Sequence, residues 1–427
     1  MESGDSRNYR KPIPMIQYFY YVREALGASK KEKMIKKLFN LSPLLYVFLV
    51  WFVFASPFFL QGLVPYSSKY QLNFFAPWSH YEKFQGPVKN NAMPDVHTQI
   101  YPWKKLTIDT YKMGQIPLWN PYSFSGNPQL ANFQTAVFSP FNLLFFLFSF
   151  IDAWSILVLL QPLLAGYFMY LLLRQYGLSK LATLLGSTSF MFCGFMVVWM
   201  AYATLGFAIL YLPLSLYAIE KFIEKQKKKT LVFLVLSITL SIFSGHFQTS
   251  LYALGFIFIY IVWKAKQNKE KNLSIALFGA YGLGLVLALP QILPTIQLYE
   301  FSVRAGNYIA GGGIPWKYLI TIVAPDFFGN PVTRNDWFGF YAEWASFVGI
   351  VPILFASLAV LQRKSRHVLF FSVVTLGLLV LIVDSPVQSL IGALHIPVLS
   401  TSNPSRIIVL LSFVISVLSG FGLDFWL

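Results

Sequence analysis

The chain has 427 residues, of which 56% are hydrophobic and only 12% charged, with a formal net charge of +16. Soluble domains carry about 25% charged residues, and a soluble reading would have to bury several all-apolar helices in one core. Nucleic-acid binding is excluded as well, because the basic residues form short clusters between apolar runs rather than one soluble face.

In chain order, residues 1–42 form a polar, basic tail with no visible secretory leader. Apolar segments follow at 43–62, 153–173, 182–200, 205–222, 230–245, 248–263, 274–292, 346–361, 368–384 and 406–424. Several reach the roughly 17–22 residues needed to cross a bilayer core of about 30 Å. They predict an all-α transmembrane fold of about ten membrane-spanning helices over 43–427. The apolar stretch 138–151 is short and reads as re-entrant or interfacial. The lone Cys193 lies inside an apolar run, so no intrachain disulfide is available.

Charge sets the expected orientation. With the tail in the cytoplasm, Arg174, Lys180, Lys221, Lys225, Lys227, Lys228, Lys229, Lys264, Lys266, Lys269, Lys271, Arg363, Lys364 and Arg366 fall on that same side. The opposite short loops, 201–204, 246–247 and 385–405, carry no Lys or Arg. This alternation predicts a cytoplasmic N-terminus. It leaves two long loops outside, a large first one over 63–152 and a second over 293–345.

The first loop opens with "MPDVHTQIYPW", Met93 to Trp103. Asp95, just past the first span, is placed to take a proton from an acceptor hydroxyl or to help hold a divalent cation such as Mg or Mn. His97 stands close enough in sequence to assist. No metal-ligand spacing is complete, so no cofactor is certain. The alternative is a pair of solvated loop residues. Further on, Trp103, Trp119 and Tyr122 offer flat faces, and Asn120, Asn127 and Gln134 offer amides. Sugars stack their C–H faces on aromatics and need both donors and acceptors for their hydroxyls. An interfacial aromatic belt with turn residues is the rival reading.

Five more positions stand out at the expected outer surface. His246 and Gln248 lie in "SGHFQTS", where a histidine needs a cavity or a partner. Arg304 and Glu343 belong to the second loop, and Arg406 is the only formal charge between Ser385 and Leu423. A guanidinium there suits a lipid phosphate, which it grips with paired hydrogen bonds. Snorkelling to headgroups is the alternative.

Together, "QIYPW", "GQIPLWNPYSFSGNPQLANFQ", "SGHFQTSLY", "SVRAG", "APDFFGN", "YAEWASFVGIVPIL" and "SNPSRIIVLL" resemble the YfhO family of bacterial multi-pass membrane proteins over about residues 43–427. That family is similar to GT-C type glycosyltransferases. The resemblance implies an enzyme of the bacterial cytoplasmic membrane that moves a sugar from a polyprenyl-phosphate donor to a cell-envelope polymer such as teichoic acid. It implies that Asp95 is the catalytic base or a metal ligand, and that His246, Arg304, Glu343 and Arg406 line one outward cavity. His97 joins Asp95, His246 and Glu343 as a catalytic candidate. Family members usually continue through further spans, so the chain reads as a fragment or a short member. Two rival classes are a polyprenyl-lipid or polysaccharide transporter and a non-enzymatic polymer-binding protein. A transporter predicts mid-membrane charges and repeated halves. A polymer-binding protein needs the aromatics but not Asp95.

Overall fold

The computed structural model describes residues 43–66, 72, 75–84, 94–305, 307, 312–333, 335–362, 365–395 and 400–427. The basic tail expected over 1–42 therefore lies outside the described residues. Of the first helix, α1 (Pro43–Gln61), residues from Val47 onward belong to one compact unit with the rest of the chain.

The described chain is mostly helical. After α1 come α2 (Tyr101–Lys112), α3 (Phe150–Gln175), α4 (Lys180–Met191), α5 (Gly194–Trp199), α6 (Leu205–Lys225), α7 (Lys229–Phe243) and α8 (Phe247–Asn268). Then follow α9 (Lys271–Leu287), α10 (Leu289–Glu300), α11 (Ile350–Gln362), α12 (Arg366–Ile382), α13 (Pro386–Ala393) and α14 (Ile408–Trp426). Two helices organise the bundle: α6 packs on α3, α7 and α8, and α14 packs on α4, α11 and α12.

Small residues let these helices approach, as expected where apolar lipid offers no hydrophobic drive for association. Gly186 of α4 faces the Ser416 carbonyl of α14, and Gly422 of α14 faces the Phe355 carbonyl of α11 with no room for a Cβ. Hydroxyls add cross-links: Thr239 donates to the Gly284 carbonyl at 2.9 Å and Ser241 to the Ala208 carbonyl at 2.7 Å. Each such bond contributes about 0.6 kcal/mol on average.

Among the described residues, five helices can cross a membrane by length and composition: Leu44–Gln61, Phe150–Gln175, Leu205–Lys225, Phe247–Asn268 and Pro404–Trp426. Three bent pairs, α4 with α5 (42°), α9 with α10 (62°) and α11 with α12 (114°), raise the count to at most eight. The expected ten included α7, α11 and α12 as separate spans. These helices have 15, 13 and 17 residues. At about 1.5 Å per residue each is shorter than a hydrocarbon core of about 30 Å. The α9–α10 bend falls where Pro290 begins a new helix, since proline cannot continue the old hydrogen-bond ladder.

The bundle has two distinct ends. The turns joining α3 to α4, α6 to α7 and α8 to α9 carry Lys180, Lys225, Lys227, Lys228, Lys269 and Lys271. The opposite short turns, 200–204 and 244–246, carry no Lys or Arg. The segment 138–151 forms only short helical turns, Pro140–Leu143 and Leu144–Leu147, before α3 begins at Phe150.

Candidate functional site

Asp95 precedes a short π-helical turn, Val96–Ile100, that runs directly into α2. Its Oδ1 accepts from the Gln99 amide at 3.4 Å and its Oδ2 from the Tyr202 hydroxyl at 3.2 Å. Two neutral donors thus fix the half-buried carboxylate. Tyr202 closes a helical turn between α5 and α6 and is 6% exposed. Its ring packs edge-on against Trp199, with centroids 5.1 Å apart.

Trp199 leads to the second charge. The Arg406 guanidinium carbon lies 5.4 Å from its ring centroid, a cation–π distance. Arg406 sits in the turn Pro404–Ile407 that starts α14, set by Asn403, whose side chain accepts from the Ser405 amide. Its Nε donates to Glu343 Oε2 at 2.6 Å and its Nη2 to Oε1 at 2.5 Å. This is the two-pronged geometry that makes arginine–carboxylate pairs strong. Its Nη1 donates to Gln248 Oε1 at 3.3 Å, and Gln248 in turn donates to the Tyr252 hydroxyl at 2.9 Å and the Asn403 carbonyl at 2.8 Å. The Tyr202 hydroxyl lies within electrostatic reach of Asp95, Arg406 and Glu343 together. Four expected site residues, Asp95, Gln248, Glu343 and Arg406, thus converge around a tyrosine that the sequence did not single out.

The first loop supplies a pocket beside Asp95. The segment "WNPYSFSGNP" is a β-hairpin in which β1 (Trp119–Asn120) pairs antiparallel with β2 (Asn127–Pro128). Its tip needs left-handed backbone at Phe124 and Ser125 and a φ of +122° at Gly126, where a Cβ would fall 2.3 Å from the Trp119 ring. Gln129 ties the hairpin to α2 by donating to the Trp103 carbonyl at 2.9 Å and the Thr107 hydroxyl at 3.0 Å. Between hairpin and α2 lies a cavity of about 320 Å³, whose lining includes Gln99, Trp103, Asn120, Phe124, Asn127 and Asn132. It has no formally charged lining residue, and Gln99 links it to the Asp95 carboxylate. Trp119 and Tyr122 stand exposed on the hairpin, and Gln134 is half-buried outside the cavity lining.

A second, apolar cavity of about 340 Å³ runs between α8, α12 and α14, lined by residues such as Leu251, Phe256, Phe370 and Leu378. Tyr252 and Pro404, both hydrogen-bonded into the Arg406 network, stand at its wall.

The histidines have other roles in view. His246 caps α8: its Nδ1 lies 2.8 Å from the Thr249 hydroxyl and 3.3 Å from the Thr249 amide. His97 is buried, its ring 4.5 Å from that of Tyr66. Burial pushes the Tyr66 phenol up to about 12. The Arg304 side chain lies outside the described residues. Among the described residues, no three His, Cys, Asp or Glu side chains group to hold a metal ion. The Asp95 carboxylate is held by an amide and a phenol, a poor donor set for Mg or Mn, which favour several carboxylate oxygens or waters.

Comparison with known proteins decides the family. The profile described as bacterial membrane protein YfhO matches residues 127–426, more than half the chain. The chain belongs to the YfhO family. The match begins at Asn127, so Asp95, His97, Trp103, Trp119, Asn120 and Tyr122 lie upstream of it, although the resemblance was expected from residue 43. Within the matched YfhO region lie Glu343, Arg406 and Gln248, the walls of the apolar cavity, and Tyr202. No curated protein and no solved structure matches the chain.

Proposed function

We propose that this YfhO protein transfers a sugar from a polyprenyl-phosphate donor to a cell-envelope polymer at the outer face of the bacterial cytoplasmic membrane. One observation carries the reading: the apolar cavity, the Arg406 network and Asp95 follow one another without a gap in side-chain contacts. A polyprenyl tail fits the cavity between α8, α12 and α14. Its phosphate would meet Arg406 at the end of that cavity, and the sugar would lie toward Tyr202 and Asp95.

In this scheme Asp95 takes the proton of an acceptor hydroxyl, which then attacks the anomeric carbon. The bond from that carbon to the phosphate oxygen breaks, and Arg406 stabilises the charge that builds on the departing phosphate. Direct displacement inverts the anomeric carbon. Gln99 and Tyr202 position Asp95. The amide-lined cavity of the first loop holds the acceptor. His97, His246 and the second-loop Arg304 support this site rather than reacting in it. The lysine-rich turns at the far end of the bundle favour a cytoplasmic location for that end and an outer location for the site.

A transporter would carry charges at mid-span. Here Glu220 and Lys264 stand within about two turns of a helix end, and Arg406 stands at one, which supports surface chemistry. The test is transfer of labelled sugar by the full chain in lipid nanodiscs, with polyprenyl-phosphate glucose and polyprenyl-phosphate N-acetylglucosamine as donors. Removing a general base costs about 10²–10⁴-fold, and Asp95→Asn is expected to lose at least about 10²-fold. Transfer by Asp95→Asn at the wild-type rate would exclude Asp95 as the base.

A further inference from the structure

A third cavity, of about 210 Å³, uses none of the residues assigned to the reaction. Its walls come from α5, from the segment Tyr318–Asp326 and from the segment Tyr341–Phe347. Five aromatic residues line it, Phe192, Tyr318, Tyr341, Trp344 and Phe347. Tyr318 and Trp344 are held in place. The Trp344 indole donates to the Ser405 hydroxyl at 3.0 Å and meets Tyr318 edge-on, with centroids 4.7 Å apart. Gly339, at φ +89°, lies so close to the Tyr318 ring that a Cβ would come within 2.3 Å of it.

Two polar groups in this cavity have unmet capacity. Asp326 Oδ1 accepts from the Tyr341 hydroxyl at 2.8 Å and the Asn330 amide at 3.1 Å. Its Oδ2 has no hydrogen-bond partner among the described residues. Ser346 is 2% exposed, and its hydroxyl also has none among them. Asp326 is exposed, so its Oδ2 is open to solvent or a ligand; the Ser346 hydroxyl is buried, and since buried polar groups are nearly always paired it calls for a ligand or a water.

We infer that this cavity binds one neutral sugar or polyol ring, as a carbohydrate subsite separate from the amide-lined one. The aromatic walls cover the C–H face of the ring. Asp326 Oδ2, an acceptor only, takes ring hydroxyls as donors, and Ser346 pairs with another hydroxyl of the same ring. An amine would satisfy Asp326 and leave Ser346 unmet. The inference does not depend on sugar transfer, since it concerns binding alone.

Saturation-transfer NMR on the full chain in detergent tests it, with methyl glucoside and methyl N-acetylglucosaminide as probes. An Asn127→Ala background weakens the amide-lined cavity, so that the remaining signal reports this one. Adding Asp326→Asn is expected to weaken the Kd at least fivefold, with the melting temperature unchanged because Asp326 is exposed. Ser346→Ala provides a second variant and is expected to weaken binding about twofold to threefold, roughly one neutral hydrogen bond. Two further arms identify the source of the ring, a short-chain polyprenyl-phosphate glucose and a glycerol-phosphate polymer. The ligand whose Kd weakens in Asp326→Asn is the one that carries it. Unchanged binding in both variants, ethanolamine binding in place of the glycosides, or no weakening in either arm would overturn the assignment.

Discussion

Glu343 occupies the Nε–Nη2 edge of Arg406, the edge that a lipid phosphate would grip. On the proposed function, donor binding would require Glu343 to release the guanidinium, with the carboxylate competing against phosphate. Glu343→Gln removes a charge but keeps the shape. It is expected to tighten the Kd for polyprenyl phosphate by about threefold to tenfold, about 0.7–1.4 kcal/mol, whereas Arg406→Ala should weaken it at least tenfold. Equal affinity of wild type and Glu343→Gln would make the pair a purely structural strut. Arg406 and Asp95 could be picked out as candidates from the sequence, Arg406 as the only formal charge between Ser385 and Leu423 and Asp95 as an acid within the polar stretch Met93 to Trp103. Tyr202 was not legible. It is one of 24 tyrosines, and its bond to Asp95 spans 107 residues, so only folding brings the two together. The pairing of Arg406 with Glu343 was hidden for the same reason. His246 was read as a catalytic candidate from its depth, and the structure shows a local reason for a histidine there, the capping of α8.

The helix α2 is fastened to the first loop by a buried lysine. Lys104 is 5% exposed, and its Nζ donates to the Thr135 carbonyl at 3.2 Å and to Asn142 Oδ1 at 2.8 Å. Burial pulls its ammonium down to about 7. The unfolded chain keeps this proton up to about pH 10.4, while the folded chain releases it near 7. Stability should therefore rise with pH between about 7 and 10, by up to about 1.4 kcal/mol per unit from this group. Lys104→Met removes that contribution, so thermal unfolding between pH 7 and 9 should show a flatter slope than in wild type. A slope identical to wild type would mean that Lys104 keeps its charge in the fold. At this scale the long helices were readable from apolar length, because every residue of a span must be tolerable in lipid. Their breaks were less so. The α4–α5 break lies at Phe192–Cys193, with no proline to mark it, and α7 ends after 15 residues although its apolar run extends to the Gly245 turn. The hairpin of the first loop was read as turn-rich, but its pairing register was not, since that register depends on Gly126 passing beneath Trp119.

Across the whole molecule, the helices that hold the site also carry a polar cluster at the opposite end. Glu220 of α6, Lys264 of α8 and His367 of α12 meet there, with Lys264 Nζ 2.5 Å and His367 Nε2 3.4 Å from Glu220 Oε1. A buried ion pair adds little net stability but costs about 3–5 kcal/mol when one partner is lost, so it fixes the mutual register of these helices. The lysine-rich turns support the orientation proposed for the bundle. Cys193 is the only cysteine and is fully buried, so introduced cysteines can be labelled over a low background. In intact cells a membrane-impermeant maleimide should label Tyr122→Cys and leave Lys227→Cys unlabelled until the membrane is opened; the reverse pattern would invert the topology. The membrane class was legible in composition alone, because apolar length is a property of the chain. The meeting of apolar cavity, guanidinium and carboxylate was not, because it unites α8, α12, α14 and the first loop from distant parts of the sequence. That meeting is most directly tested by a cryo-EM structure of the full chain with polyprenyl phosphate bound. The tail should lie between α8, α12 and α14, with the phosphate on Arg406 and Glu343 displaced from it. A phosphate bound elsewhere, with the Glu343–Arg406 pair intact and the cavity empty of lipid, would contradict the account.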